Sequence, residues 1–280
     1  MSLDVQILRA VKTYYDVQKL RISVGNRVKV TKFTVCGNRH MVPLGEGDRD
    51  KCPLCGLPVE VVTVEPPRVL VEVMEILESA EKTVYREIQR AVKNHPLWAE
   101  YLAHIKGVGP VVGGFLVTVL NPARFETVSK MWKYCGLHVV DGRAPRRVAG
   151  QKTEWNPFAR TMMWRLGEAF RMQGGFYKHM YRVFYEESLR KHPDWTAAHH
   201  LAHARRVTVK LFLAHYHYVG RQILGLPVRL PYICEKQPHQ CIPPVVDDPE
   251  HCEEFYEKYV KKHFDRELYD HWLKTAGIAK

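Results

Sequence analysis

No run of eighteen apolar residues occurs anywhere in this 280-residue chain, so no transmembrane helix is expected. The opening MSLDVQILRAVKTYY lacks the uncharged apolar core and cleavage site of a signal peptide, which makes a cytoplasmic protein the expectation. There is no Gly-x-Ser-x-Gly elbow, no Walker phosphate loop and no dinucleotide fingerprint. Hydrolases of the nucleophile-elbow type, P-loop enzymes and Rossmann oxidoreductases are thereby set aside. No pair of carboxylates stands out as an acid–base couple, and no lone basic amphipathic helix marks a membrane-surface protein. Negative charge is scarce as well: 30 Asp and Glu face 42 Lys and Arg, a net charge of +12.

That imbalance is local. From Arg86 to Lys210 there are 21 Lys and Arg against 9 Asp and Glu, an excess of 12; from Val246 to Lys280 there are 6 against 9, a deficit of 3. A long central segment is therefore basic and the tail mildly acidic. A concentrated basic segment points to a polyanion, above all nucleic acid. With 46% hydrophobic and 26% charged residues, the chain otherwise has the balance of a folded protein with a real core.

Apolar spacing predicts mostly helix. Helical periodicity runs over Leu3 to Ile22, Val69 to Lys93, Thr127 to Cys135, Pro157 to Met172, Phe176 to Lys191, Trp195 to Leu224 and Glu250 to Leu273. Asn156 followed by Pro157 reads as an N-cap with proline at the first helical position. Val28 to Val35 alternates like a strand, and Glu65-Pro66-Pro67 is a strong breaker. The expected fold is mainly α: a helical domain over 67–230, a helix plus a small zinc-ribbon-like β insert over 1–66, and a Pro/Cys-rich loop with a last helix over 231–280.

The most telling stretch is His104-Ile105-Lys106-Gly107-Val108-Gly109-Pro110, flanked by apolar segments Leu97 to Ile105 and Val111 to Leu120. Two short helices joined by a Gly-x-Gly turn would make a helix-hairpin-helix. Gly107 and Gly109 permit φ > 0 and leave the backbone uncovered. Pro110 suits the first helical position, and the unpaired amides behind it carry the positive end of the helix dipole. Lys106, Gly107, Val108 and Gly109 are thus candidate phosphate contacts. Downstream, the Gly- and Pro-rich loop Asp141 to Lys152 holds Arg143, Arg146, Arg147 and Lys152. Arginines on such a loop make bidentate phosphate contacts well. An ordinary helical hairpin and a solvated surface loop are the plainer alternatives for these two segments.

Six of the seven cysteines fall in two clusters. Cys36, His40, Cys52 and Cys55 have the spacing of a small closed zinc site, structural rather than catalytic, with Gly56 relaxing the knuckle after Cys55. A disulfide or free thiols are the alternatives. Lys32, Arg39 and Lys51 lie on the same module. Cys234, His239, Cys241, His251 and Cys252 have no standard knuckle spacing; metal, disulfide and free thiols stay open there. Cys135 reads as a core residue. His199 and His203 sit at i, i+4 but lack the Glu of a His-Glu-x-x-His protease, and packed or surface roles are expected for them and for His215 and His217.

Ile105 to Pro110, then Asn121 to Phe125, then Lys130-Met131-Trp132-Lys133-Tyr134-Cys135-Gly136-Leu137, together resemble the C-terminal half of the DEDD-type insertion-sequence transposases. Those proteins read Ile-x-Gly-[Val/Ile]-Gly-Pro, then a helix, Arg-Phe, and Tyr-x-Gly-Leu. The likeness covers roughly Leu97 to Phe170, about a quarter of the chain. It implies a helix-hairpin-helix segment that binds duplex or structured DNA. In that family an N-terminal RuvC-like half supplies acidic metal ligands, and a nucleophilic serine follows Tyr-x-Gly-Leu. This N-terminus has no strand-borne Gly-x-Asp, and between Gly136 and Pro157 only Thr153 carries an aliphatic hydroxyl. The expectation is therefore a zinc-containing DNA-binding protein without strand-transfer activity of its own. The rival readings are a divergent recombinase or metal-dependent nuclease, and an adaptor or homo-oligomer that engages protein partners.

Overall fold

The computed structural model describes residues 3–43, 50–140, 142–236 and 241–279. It is mainly helical, with one small antiparallel sheet near the N-terminus. The helices are α1 (Leu3–Gly25), α2 (Arg68–Lys93), α3 (Pro96–Ala99), α4 (Pro110–Thr118), α5 (Val128–Tyr134), α6 (Pro157–Gln173), α7 (Phe176–Lys191), α8 (Ala197–Ile223), α9 (Tyr232–Lys236), α10 (Cys252–Phe255) and α11 (Arg266–Thr275); the strands are β1 (Thr31–Cys36), β2 (Met41–Pro43) and β3 (Val59–Val64). Among the described residues, no helix is long and apolar enough to cross a membrane.

The chain divides into two compact units, residues 9–87 and residues 1–8 with 88–280. The division falls inside α1 and α2 rather than at Glu65-Pro66-Pro67. The reason is that the two long helices pair. Tyr14 meets Tyr85 at 6.3 Å between ring centroids, Gln18 donates to Glu81 at 3.1 Å, Arg21 is salt-bridged to Glu81, and Gly25 lies against Met74. The residue numbers run in opposite senses, so the pair is antiparallel. The sheet, ordered β2-β1-β3, is carried between the two helices. In β1 the buried positions are Thr34 and Cys36, while Phe33 and Val35 are only half-buried.

The larger unit is built around α8, whose buried face includes Thr208, Val209, Phe212, Leu213, Tyr216 and Val219. Helices α5, α6 and α7 pack on it. The core between them is aromatic: Phe170 stacks on Tyr177 at 4.6 Å, and Phe212 meets both, at 5.2 and 5.3 Å. Three histidines of α8, His200, His215 and His217, are buried, whereas His199 is exposed and His203 half-buried. His215 Nε2 donates to the Ile242 carbonyl at 3.0 Å, so its Nδ1 accepts from the Tyr177 hydroxyl at 2.9 Å, and burial brings its pKa down to about 4. His217 Nε2 donates to the Phe125 carbonyl at 2.9 Å, and His200 bonds Ser188 at 2.8 Å. The caps read from sequence are present where they are local: Asn156 Oδ1 accepts from Ala159 N at 3.0 Å with Pro157 next, and Thr127 and Thr196 cap α5 and α8.

Two expected helices are broken. Leu97 to Ile105 is not one helix: α3 ends at Ala99, Tyr101 leaves helical geometry at φ −140°, and only a 3₁₀ turn, Leu102–His104, follows. Glu250 to Leu273 is three pieces: α10, a π-helical turn over Tyr256–Val260, and α11, which starts afresh where Asp265 Oδ1 accepts from Leu268 N at 2.6 Å.

Candidate functional site

The glycine turn is built as a tight link between the 3₁₀ turn and α4. Ile105 N donates to Leu102 O at 3.3 Å and Val108 N to Ile105 O at 3.2 Å. Gly107 takes φ +95°, the left-handed region that the turn requires of it. Gly109 does not: at φ −85° and ψ 169° it is an extended N-cap that any residue can adopt, and its α-carbon faces open space. Val108 is buried, whereas Lys106 and Gly109 are exposed. Pro110 opens α4, and the amides of Val111 and Val112 have no acceptor among the described residues.

One amide of this turn is already committed. Lys106 N donates to Asp247 Oδ2 at 2.8 Å, and the same carboxylate takes Phe176 N, at the start of α7, through Oδ1 at 2.6 Å. Asp247 is 5% exposed, and its own N–H bonds the His104 carbonyl at 2.9 Å. Burial raises its pKa, with the two amides and Lys106 opposing. An internal carboxylate thus occupies part of the seat that sequence reasoning assigned to a phosphate. The remaining open donors sit at the start of α4.

The arginine loop lies elsewhere on the same unit. Gly107 packs on Phe170 near the end of α6, whereas Phe115 of α4 meets Phe158 near its start at 5.4 Å, so α4 and α6 run antiparallel. Arg160 Nη1 pins the loop to the first turns of α6 through the Pro145 carbonyl at 2.7 Å. Ten residues of helix separate these anchor points, about 15 Å. Arg143, Arg146, Arg147 and Lys152 are all exposed, and no acid among the described residues is within ion-pair distance of them; Asp141 lies outside the described residues. Thr153 is not presented as a nucleophile: its hydroxyl donates to the Trp155 carbonyl at 2.9 Å.

Beside this loop is a feature that the sequence reading left out. Arg147, Trp155, Pro157, Arg160, Thr161 and Trp164 line an open cavity of about 410 Å³. The Arg160 guanidinium stacks over Trp155 at 5.1 Å, and Arg205, ion-paired to Glu168, stacks over Trp164 at 5.0 Å. Trp164 is nevertheless 54% exposed. Such indoles are recognisable from sequence only through their spacing: Trp155 and Trp164 bracket the first two turns of α6 on the loop side.

In the smaller unit, Cys36, His40, Cys52 and Cys55 converge, their ligand atoms all within 4.8 Å of one another. Cys36 Sγ and Cys55 Sγ are 3.5 Å apart, and Cys52 Sγ and His40 Nδ1 3.7 Å. Ligands about 2.0–2.3 Å from a tetrahedral zinc would be spaced about 3.5–3.8 Å, so the donor set fits a metal ion. The sulfur–sulfur separation also excludes a Cys36–Cys55 disulfide. Burial opposes ionisation of Cys52, yet the amides of Leu54 and Cys55 and the His40 ring bring its pKa down to about 6. Cys55 accepts from the Leu57 amide, but burial and the neighbouring sulfurs of Cys36 and Cys52 push it up. Lys32, Arg39 and Lys51 are exposed on this module. The second cysteine cluster resolves differently: Cys234 and Cys241 form a disulfide, Cys252 is a buried free thiol, and His239 lies outside the described residues. Cys135 is a fully buried core thiol.

No protein-family model, no curated protein and no solved structure matches this chain.

Proposed function

We propose that this chain binds nucleic acid, with duplex or structured DNA as the partner, and that the region from Leu97 to Phe170 acts as a shortened relative of the transposase C-terminal half. The observation that carries the reading is the loop bearing Arg143, Arg146, Arg147 and Lys152: four exposed cations without acidic partners among the described residues, next to two indoles that are already stacked by guanidinium groups. Unpaired surface cations are the groups that release counterions from a phosphate backbone. Exposed indoles offer a face on which bases at an end, bulge or junction can stack. The 3₁₀ turn, the glycine turn and α4 serve as a reduced helix-hairpin-helix, in which the amides of Val111 and Val112, unpaired among the described residues and at the start of α4 behind the exposed Gly109, take one phosphate together with Lys106. The positions on α6 that anchor the arginine loop and the glycine turn are about 15 Å apart along the helix, less than half of a B-DNA turn of about 34 Å, so one duplex is long enough to span both. Zinc in the Cys36, His40, Cys52 and Cys55 cluster is structural, since four protein ligands leave no open position. No residue is assigned to strand transfer.

The test is fluorescence anisotropy of labelled duplex, junction and single-stranded DNA across a salt series. The quadruple variant Arg143→Ala, Arg146→Ala, Arg147→Ala, Lys152→Ala is expected to lower the slope of log K against log salt by about 3.6 on duplex. That slope corresponds to about a 150-fold change in affinity between 50 and 200 mM salt. Trp164→Ala is expected to weaken binding to junctions and single strands more than to plain duplex. A salt response that is flat, or unchanged in the quadruple variant, overturns the reading.

A further inference from the structure

We infer that His104, Asp248 and His251 form a second metal site, mononuclear and open to solvent, for a borderline divalent cation such as zinc or ferrous iron. The three residues come from two segments far apart in the chain. His104 ends the 3₁₀ turn ahead of the glycine turn; Asp248 and His251 lie just before α10. Their ligand atoms fall within 4.8 Å of one another. Asp248 Oδ2 is 2.8 Å from His251 Nδ1 and 3.3 Å from His104 Nδ1, and the two imidazole rings are 4.2 Å apart. Nitrogen and oxygen ligands about 2.1 Å from a metal stand about 3.0–3.4 Å apart in octahedral or tetrahedral arrangement, within a few tenths of an ångström of these spacings.

The hydrogen-bond pattern leaves ligand atoms aimed at a common centre. His104 Nε2 is 3.0 Å from the Ala99 carbonyl, which can only accept, so that nitrogen carries the hydrogen. In the neutral ring the lone pair is then on Nδ1, pointing at the carboxylate. Two acceptors facing each other at 3.3 Å are bridged by a proton or by a cation. One divalent ion would satisfy both ring nitrogens and the carboxylate oxygen at once. A ligating histidine whose other nitrogen donates to a backbone carbonyl is the usual outer-shell arrangement of metal sites. Asp248 is oriented in turn, because its Oδ1 accepts from Glu250 N at 3.1 Å.

The site is also pre-assembled by bonds that do not involve the ion. Asp247 N to His104 O, and Lys106 N to Asp247 Oδ2, fasten the two ligand-bearing segments to each other. One side stays open: a cavity of about 210 Å³ is lined by His104 and His251 together with Glu100, Glu254, Lys258 and Tyr259. Lys258 Nζ holds the Glu100 carboxylate at 2.7 Å, and the Tyr259 hydroxyl donates to it as well. Two imidazoles and one carboxylate with free positions suit zinc, iron, cobalt or manganese, whereas the thiolate cluster of the other unit selects softer binding.

Titration of the metal-free, untagged full chain with Co²⁺ tests the inference. The two sites are separable by spectrum, since only the cysteine cluster gives thiolate-to-cobalt charge transfer. The wild type is expected to bind two equivalents, one with and one without that band. His251→Ala and His104→Ala should each weaken the band-free equivalent by more than about 100-fold while the charge-transfer equivalent and the far-UV spectrum stay unchanged. Wild type that binds only the charge-transfer equivalent, or band-free binding that survives both histidine substitutions, overturns it. Neither outcome depends on nucleic-acid binding.

Discussion

Removing the Asp247 carboxylate should cost the larger unit a substantial part of its stability. The buried carboxylate accepts from Phe176 N at 2.6 Å and Lys106 N at 2.8 Å, joining the start of α7 to the glycine turn. Gly175, at φ +79°, leaves room for it: a β-carbon there would stand 2.3 Å from Oδ1. A hydrogen bond to a charged group is worth roughly 1.5–3 kcal/mol, and the acceptor also faces the positive end of the α7 dipole. Burial opposes the ionised form, so the lower end of the summed range is the better guide. Asp247→Ala should therefore cost about 3–4 kcal/mol, which for a unit of this size lowers Tm by on the order of 10 °C. Calorimetry reads the loss, and amide hydrogen exchange at Lys106 and Phe176 localises it. The sign of the pH effect follows from the raised pKa. Asp247 stabilises most below the ordinary carboxyl value of 3.8, and that contribution shrinks as pH rises through its higher folded value. The Tm difference between wild type and Asp247→Asn should accordingly narrow as pH rises from about 3 towards neutrality. An Asp247→Ala protein that melts within about 2 °C of wild type, with unchanged exchange at both amides, refutes the reasoning.

The two glycines of the turn should separate stability from binding. Gly107→Ala places a β-carbon 2.9 Å from the Phe170 ring at φ +95°, and is expected to destabilise by about 1–3 kcal/mol in denaturant titration. A β-carbon at Gly109 meets nothing within 4 Å, so Gly109→Val should cost only the N-cap preference, about 1 kcal/mol, while screening the α4 amides and weakening DNA binding in anisotropy; wild-type affinity in a folded Gly109→Val protein would remove α4 from the interface. In the cysteine module, chelation or Cys52→Ser should melt the β1–β3 sheet, visible as loss of its amide protection. Acid should release the metal, because protons compete with it for the cysteine thiolates and the His40 ring; a metal content that does not change on acidification would refute ligation by this cluster.

What could be read in advance was local. Asn156 and Pro157 announce the start of α6 because a cap and its amide are three residues apart. Cys36, His40, Cys52 and Cys55 announce a cluster because two tight turns deliver them. Periodicity found α1, α2 and α6 to α8, but it could not see where a periodic segment stops being helical. Tyr256 to Val260 keeps its apolar spacing and still widens into a π turn, and α11 begins only because the Asp265 side chain offers a better partner than continuation. Nor could it see contacts across the chain. Arg160 holds Pro145, and Lys210 sits over Trp132 at 4.2 Å, through packing that leaves no trace in spacing.

Asp247 and Asp248 show why the remainder was out of reach. They are neighbours in an acidic tail, and by composition they are interchangeable. In the fold, one is turned inward, 5% exposed, and ends as an internal anion on two amides; the other faces the surface, where two imidazoles meet its Oδ2. Each has a partner more than seventy residues away in the chain, Lys106 and Phe176 for Asp247 and His104 for Asp248. A net charge for the tail averages over this difference. The inward acid blunts the electropositive turn that sequence reasoning had reserved for phosphate, and the outward one builds a cation site that such reasoning did not contain. Substituting one and then the other should therefore separate the two effects: Asp247→Asn lowers Tm with DNA affinity held or raised, whereas Asp248→Asn leaves DNA affinity alone and weakens band-free Co²⁺ binding. Equal effects of the two substitutions on both readouts would mean that the tail acts only through its summed charge.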